Sequence, residues 1–235
     1  MTHQAFNSQQ LSHQIGWSLI LLIVLGIASA LFITPGIDVN LSADIAGTAE
    51  NMLTAELRLH AAAYLSVLQI LLEMFIAIGF FLLLRDHGLV LASWSLVLAI
   101  ITGVIALLGA VYALNSALIA GNSAFDSIAS GNQRSLLISL QVTSDYTSFH
   151  LGLVLGSISK AGVFWLFLRS RLIPKLLAAW GVFASLFVVL ALIGRDFLPV
   201  LGHATVTGAF MACNLVAVVA LGLVLGVRGV NTLNK

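Results

Sequence analysis

Residues 150–167 read HLGLVLGSISKAGVFWLF, an apolar stretch that carries Lys160 near its middle. Two other apolar runs hold a comparable group: Glu73 within residues 61–84, and Asn214 within residues 204–227. An ammonium, a carboxylate and an amide in such surroundings are the raw material of a proton relay or of a small-molecule or ion site. Burial disfavours the charged form of both acid and base, and polar groups inside a membrane need partners. A second set is histidine: His60, His150 and His203 each stand at the start of such a run. Imidazoles held at one level could ligate a transition metal, and two that face each other could ligate haem.

The elements that must position these groups follow from composition. The 235 residues are 60% hydrophobic and 8% charged, where a soluble domain carries about 25% charged residues. A hydrocarbon layer about 30 Å thick needs about 20 apolar residues in a helix. Segments 15–33, 61–84, 88–114, 149–168, 176–193 and 204–227 meet or approach that length. The predicted fold is all-α, an integral membrane bundle of six transmembrane helices forming a single domain over residues 1–235. Lipid cannot satisfy the backbone of an isolated strand, and no period-two barrel segments occur. Thr34-Pro35-Gly36, Arg85-Asp86-His87-Gly88 and the run from Arg169 to Lys175 with Pro174 break the helices, and Leu198-Pro199 precedes the last one. The first run reads as a retained helix, because the first fifteen residues hold no Lys or Arg of the kind that opens a signal peptide.

Lys and Arg set the expected orientation. With the N-terminus inside, Arg85, Arg169, Arg171, Lys175, Arg228 and Lys235 are cytoplasmic, and Arg58, Arg134 and Arg195 are outside. Both termini are therefore expected in the cytoplasm, and Asp38, Asp44, Glu50, Glu56, Asp126, Asp145 and Asp196 outside. Two outer connections have apolar residues at helical spacing: Leu41, Ile45, Met52 and Leu53, then Leu136, Leu137 and Leu140. Each reads as a short amphipathic helix on the outer interface or an outward extension of the next span.

Depth brings the polar groups together. At 1.5 Å per residue Glu73 lies about 18 Å below the start of its helix, Lys160 about 16 Å and Asn214 about 15 Å. A charge at a helix centre costs about 2.5–3.5 kcal/mol, so a Glu73–Lys160 pair is expected, with Asn214 as third member. Gln69 stands one turn above Glu73 with an amide able to bond it. Gly152 and Gly156 precede Lys160 at four-residue spacing and form a packing seam along its helix. Two other readings stay open: a static ion pair that fixes helix register, and a Lys160 that snorkels to the cytoplasmic side. Arg58, Arg195, Asp145 and Tyr64 lie toward the outer mouth of such a site.

Other chemistry finds little support. The net charge of +1 gives no footprint for nucleic acid. The single cysteine, Cys213, permits no intrachain disulfide and no Cys-x-x-Cys metal motif. Gly-x-Ser-x-Gly, Walker and Gly-x-Gly-x-x-Gly signatures are missing, and Asp145, Tyr146 and His150 lack triad spacing. No enzyme class is indicated. The run FLRSRLIPKLLAAWGVFASL, residues 167–186, resembles the arginine-serine, aliphatic, proline-basic signature of the bacterial membrane family known as domain of unknown function 4386. The region from Asp44 through Leu84, with Arg58 and the ending LLLR, resembles it too, and the likeness spans roughly residues 15 to 200. It implies a six-helix protein of a bacterial inner membrane and no activity. It also implies acidic residues in the outer half of the second helix, where this chain has Tyr64.

The leading expectation is a protein that binds a small molecule or ion through Glu73, Lys160, Asn214 and Gln69, as a transporter or sensor. The alternatives are a non-catalytic subunit that meets another membrane protein, or a second copy of itself, through the Gly152/Gly156 seam, and a haem or metal protein using His60, His150 and His203.

Overall fold

The structure is a computed structural model that describes residues 7–39, 44–121 and 129–230; Leu41, Asp126 and Lys235 fall outside the described residues. It is all-α, and six of its helices are long and apolar enough to cross a membrane. In chain order the helices are α1 (Ser8–Ala28, continued by a wider turn at Ser29–Ile33), α2 (Ile45–Met52), α3 (Glu56–Leu84), α4 (Leu89–Gly121), α5 (Gly131–Ser170), α6 (Lys175–Arg195) and α7 (Ala204–Leu223, continued at Val224–Arg228). Single 3₁₀ turns at Arg85–His87 and Pro199–Gly202 make two of the tight connections. In a third, Arg171 takes the left-handed conformation at φ 56° before Pro174 opens α6.

Contacts divide the chain into two compact units, Met1–Ile23 with Leu72–Ile100 and Val154–Lys235, and Val24–Leu71 with Ile101–Leu153. Each has its own core. In the first, Ile15, Phe80, Leu84, Phe164, Leu166, Phe167 and Leu225 are buried together, drawn from α1, α3, α5 and the end of α7. In the second, Ile37, Met52, Leu59, Ile119, Ile138 and Val142 gather the loop after α1, α2, the first parts of α3 and α5 and the last part of α4.

The two short amphipathic stretches resolve differently. The first is a separate helix, α2, whose Asp44 side chain caps it by accepting from Gly47 N at 3.1 Å. Its Ala49 and Met52 turn into the second core and not onto the interface. The second is the opening of α5, whose 40 residues run about 60 Å at 1.5 Å per residue. Leu136, Leu137 and Leu140 face outward there, and Ile138 and Val142 carry the packing. In the polar first half of α5, Ser139, Thr143, Ser144, Thr147 and Ser148 each donate to the carbonyl four residues back, which satisfies their hydroxyls within the helix itself.

In the first unit α1 and α7 close to backbone contact. A Cβ on Gly16 would lie 2.6 Å from Gly226 Cα and 2.7 Å from Gly222 O. Polar residues of the first turns then bind the end of α7: Gln9 Nε2 donates to Arg228 O at 2.9 Å, His13 Nδ1 to Gly226 O at 2.9 Å, and Val230 N to Ser12 Oγ at 3.2 Å. This is why α1 starts at Ser8 and not near residue 15. The donors of QQLSH find orphan carbonyls at a helix C-terminus.

Gly16→Ala should therefore lower stability by about 1–3 kcal/mol, the usual cost of overpacking, since only backbone stands in its way. Gly208→Ala, with nothing within 4 Å of the added carbon, should be neutral or slightly stabilising. Thermal unfolding of both variants in detergent checks the pair.

Candidate functional site

Register places the two charges. Phe80 of α3 and Phe167 of α5 meet edge to face, ring centroids 5.8 Å apart and planes at 85°. Glu73 and Lys160 each stand seven residues earlier, two helical turns back along the same face. Glu73 and Lys160 accordingly interact electrostatically. The equal offsets mean that α3 and α5 run in parallel. Arg85–Asp86 and Arg195–Asp196 are ion pairs between sequence neighbours, at 3.9 and 4.0 Å, whereas Glu73 and Lys160 interact across two helices.

Other buried polar groups surround this level. A Cβ on Gly181 of α6 would fall on the Phe164 ring of α5. These helices form a tight antiparallel hairpin, so one turn further Ser185 of α6 stands level with Lys160. Ser185 is fully buried, and its Oγ has no hydrogen-bond partner. Asn214 Oδ1 on α7 is likewise buried and unbonded. The Trp180 indole donates to Cys213 O at 3.2 Å, which sets Asn214 about one turn beyond Lys160 toward the end where α5 finishes. On α4, Ser95 O accepts from Ser159 Oγ at 2.6 Å. A Cβ on Gly162 would strike the Ser95 hydroxyl, so the close α4–α5 approach in the first unit runs through Ser95, Ser159 and Gly162.

The remaining expected residues take other places. Gln69 makes no bond to Glu73; its Nε2 lies 3.9 Å from where a Cβ on Gly26 of α1 would be. Arg58 donates from Nε to Ile33 O at 2.8 Å and from Nη2 to Pro35 O, which caps the end of α1. Arg134 does the same for α4, donating to Ile119 O at 2.7 Å and Ala120 O at 2.5 Å. A guanidinium on the C-terminal carbonyls of a helix answers its dipole, so Arg58 is engaged as a cap. Arg195 approaches Asp196 at 4.0 Å. Tyr64 is exposed, and Asp145 packs on α4, its Oδ1 2.6 Å from a Cβ placed on Gly109.

Among the described residues no three His, Cys, Asp or Glu side chains come together in a way that could hold a metal ion. His150 lies beside Tyr146, ring centroids 6.4 Å apart, and His203 stands at the N-cap of α7. Gly152 is buried, with Ile105 of α4 3.7 Å from its would-be Cβ. At Gly152 the seam is met by the chain's own helix α4.

Sequence reasoning missed Ser185 and the Phe80–Phe167 contact. The seven-residue offset shared by the pairs Glu73/Phe80 and Lys160/Phe167 was readable. A serine in an apolar helix carries no signal until its neighbours are known. Asp38 was also passed over. Burial pushes its carboxyl above the ordinary range, against a backbone hydrogen bond at Val39 that pulls it down, and Asp38 and Asp145 repel each other within the second unit.

A family model described as "Domain of unknown function (DUF4386)" matches residues 14–229, so the chain belongs to that family. The match reaches past the stretch up to residue 200 that carries the resemblance in sequence. No curated protein and no solved structure matches the chain.

A carboxyl raised in the folded state favours folding while protonated, and that contribution is lost as pH rises through the raised value. Asp38→Asn should thus raise the melting temperature near neutral pH, and the gain should vanish on acidification below the ordinary carboxylate value. Thermal melts in detergent at the two pH values read it directly.

Proposed function

We propose that this member of the domain of unknown function 4386 family binds a small polar solute or ion between Glu73 and Lys160, as a transporter or sensor of a bacterial inner membrane. The observation that carries the reading is an opposed pair of charges on two helices, with Ser185 Oγ at its level and Asn214 Oδ1 about one turn away, both buried without partners. Buried polar groups in folded proteins are nearly always bonded, and each unmet one costs about 1–3 kcal/mol. A pair serving only helix register gains most from closing on itself with its remaining bonds satisfied. A solute that accepts from Lys160 and donates to Glu73 meets the same needs when bound.

The orientation proposed with this function has both ends of the chain in the cytoplasm. It rests on Arg85, Arg169, Arg171, Lys175 and Arg228 clustering at one set of helix ends, with Arg58, Arg134 and Arg195 at the other. Gln69 is not needed at the site, and Asn214 serves it from one turn deeper.

Glu73→Gln and Lys160→Met should each weaken solute-induced thermal stabilisation or uptake about tenfold or more, since a hydrogen bond to a charged group contributes about 1.5–3 kcal/mol. A screen of small polar metabolites against the purified protein supplies the reference. Unchanged responses in both variants would sink the proposal. The swapped variant Glu73→Lys with Lys160→Glu should keep the fold and lose the response, whereas a static pair predicts that the swap is silent.

A further inference from the structure

Tryptophan joins a large apolar ring to a single N–H donor and collects where lipid meets water. The chain has four, Trp17, Trp94, Trp165 and Trp180, and they are 40% to 57% exposed. They stand on four different helices of the first unit, α1, α4, α5 and α6.

Contacts between those helices bring the four to one level. A Cβ on Gly181 would fall on the Phe164 ring, and Trp180 and Trp165 are the immediate neighbours of these two residues. Ser95 O accepts from Ser159 Oγ at 2.6 Å, and the Ser95 hydroxyl lies against Gly162. Trp94, next to Ser95, is therefore about 5 Å along the helix axis from Trp165. A Cβ on Gly79 of α3 would lie 2.6 Å from Ile15 Cδ1. Gly79 precedes Phe80, which meets Phe167, so Trp17, two residues past Ile15, comes within about one turn of Trp165 in depth.

Beyond this level, where α3, α5 and α7 end, the exposed charges are basic. Arg169 is four residues past Trp165 and Lys175 five before Trp180, about 6 and 8 Å along their helices. Arg228 stands two residues past Gly226, whose Cβ position is 3.4 Å from Trp17 Cε2. Arg85 follows the last residue of α3, and Arg171 lies in the connection from α5 to α6. Among the described residues there, Asp86 is the one acid, 3.9 Å from Arg85. An apolar surface laid over this end would leave the cations unmet. A layer of phosphates at the edge of hydrocarbon suits both sets, because indoles favour that edge and basic groups just beyond it attract anionic lipid.

We propose that the four tryptophans and the basic residues beyond them dock the headgroups of anionic phospholipids, in the leaflet on the side where α3, α5 and α7 end. This surface is independent of any solute at Glu73 and Lys160.

The chain's own fluorescence tests it, because every tryptophan it has lies in the ring. Full-length protein is reconstituted into mixed vesicles of phosphatidylcholine and phosphatidylglycerol, with one of the two lipids brominated at a time, either near the headgroup end of its acyl chains or at the chain ends. Bromines near the headgroup should quench more than bromines at the chain ends. Brominated phosphatidylglycerol should compete for the ring about threefold more strongly than brominated phosphatidylcholine. That preference should disappear in about 1 M salt, where the Debye length is about 3 Å. It should also disappear in Arg169→Gln with Lys175→Gln, with the depth of quenching unchanged; the salt measurement on the native chain decides the matter where that variant does not fold.

The proposal is overturned by stronger quenching from the chain ends, by equal competition of the two lipids, or by a preference that survives high salt. Absence of quenching by either lipid would overturn it too, and would mean that protein, from a partner or a second copy of the chain, covers the ring.

Discussion

The edge-to-face contact of Phe80 with Phe167 sets the register on which the middle of this protein depends. Two parallel helices locked at one aromatic pair repeat their facing positions every seven residues when they pack with a shallow crossing. The next facing positions toward the start of both helices are Glu73 and Lys160. Their meeting therefore needs no special affinity between the charges. Packing brings them level, and electrostatics then rewards an arrangement that the aromatic contact has already imposed. In a bilayer this order matters, because a lone charge near the centre costs about 2.5–3.5 kcal/mol and no water is present to relieve it.

The ends of α1, α4 and α7 follow a second rule. Helices that stop short of bulk water leave carbonyls to be satisfied, and here the satisfying group comes from the following helix. Arg58 serves the end of α1 and Arg134 the end of α4. Each guanidinium meets the negative end of a helix dipole. At the opposite end the clamp of Gln9, Ser12 and His13 onto Gly226, Arg228 and Val230 does the same for α7. Polar residues that look like membrane-boundary decoration in the sequence are backbone partners in the structure.

The spans were legible because apolar length and turn chemistry are local properties. The six runs, the Arg-Ser-x-x-Ile-Pro-Lys turn and the family are all visible without coordinates, and the depth estimate that matched Glu73 with Lys160 needed only the rise per residue. Helix ends were harder. The first turns of α1 and the first half of α5 are polar; the former are held by the partners of Gln9 and His13, and in the latter the hydroxyls of Ser139 and Ser148 bond to their own helix. The surroundings of Gln69 and Arg58 were not legible, for a shared reason. Their reach was judged from spacing along one helix, while their surroundings were set by Gly26 and by the carbonyls of Ile33 and Pro35 on another stretch of chain. Ser185 shows the same limit from the other side, since its isolation exists only once Phe164 is seated on Gly181.

Whether the charged pair serves the fold or a function turns on where it stands relative to the core. The first unit is held by its buried aromatic and aliphatic cluster and by the backbone contact of Gly16 with Gly222 and Gly226. These fix α1, α3, α5 and α7 without calling on Glu73 or Lys160. Neither residue belongs to that cluster, and Glu73 keeps exposed surface. A pair that specified the fold would be enclosed, in direct contact and fully bonded, because any looser arrangement forfeits the Coulombic gain that offsets desolvation. Glu73 and Lys160 are level, and the hydroxyl at their height is buried and unbonded. The unmet hydrogen-bonding capacity is thus concentrated where a third group would have to stand, and the part of the structure that needs no third group is the part that holds the helices together.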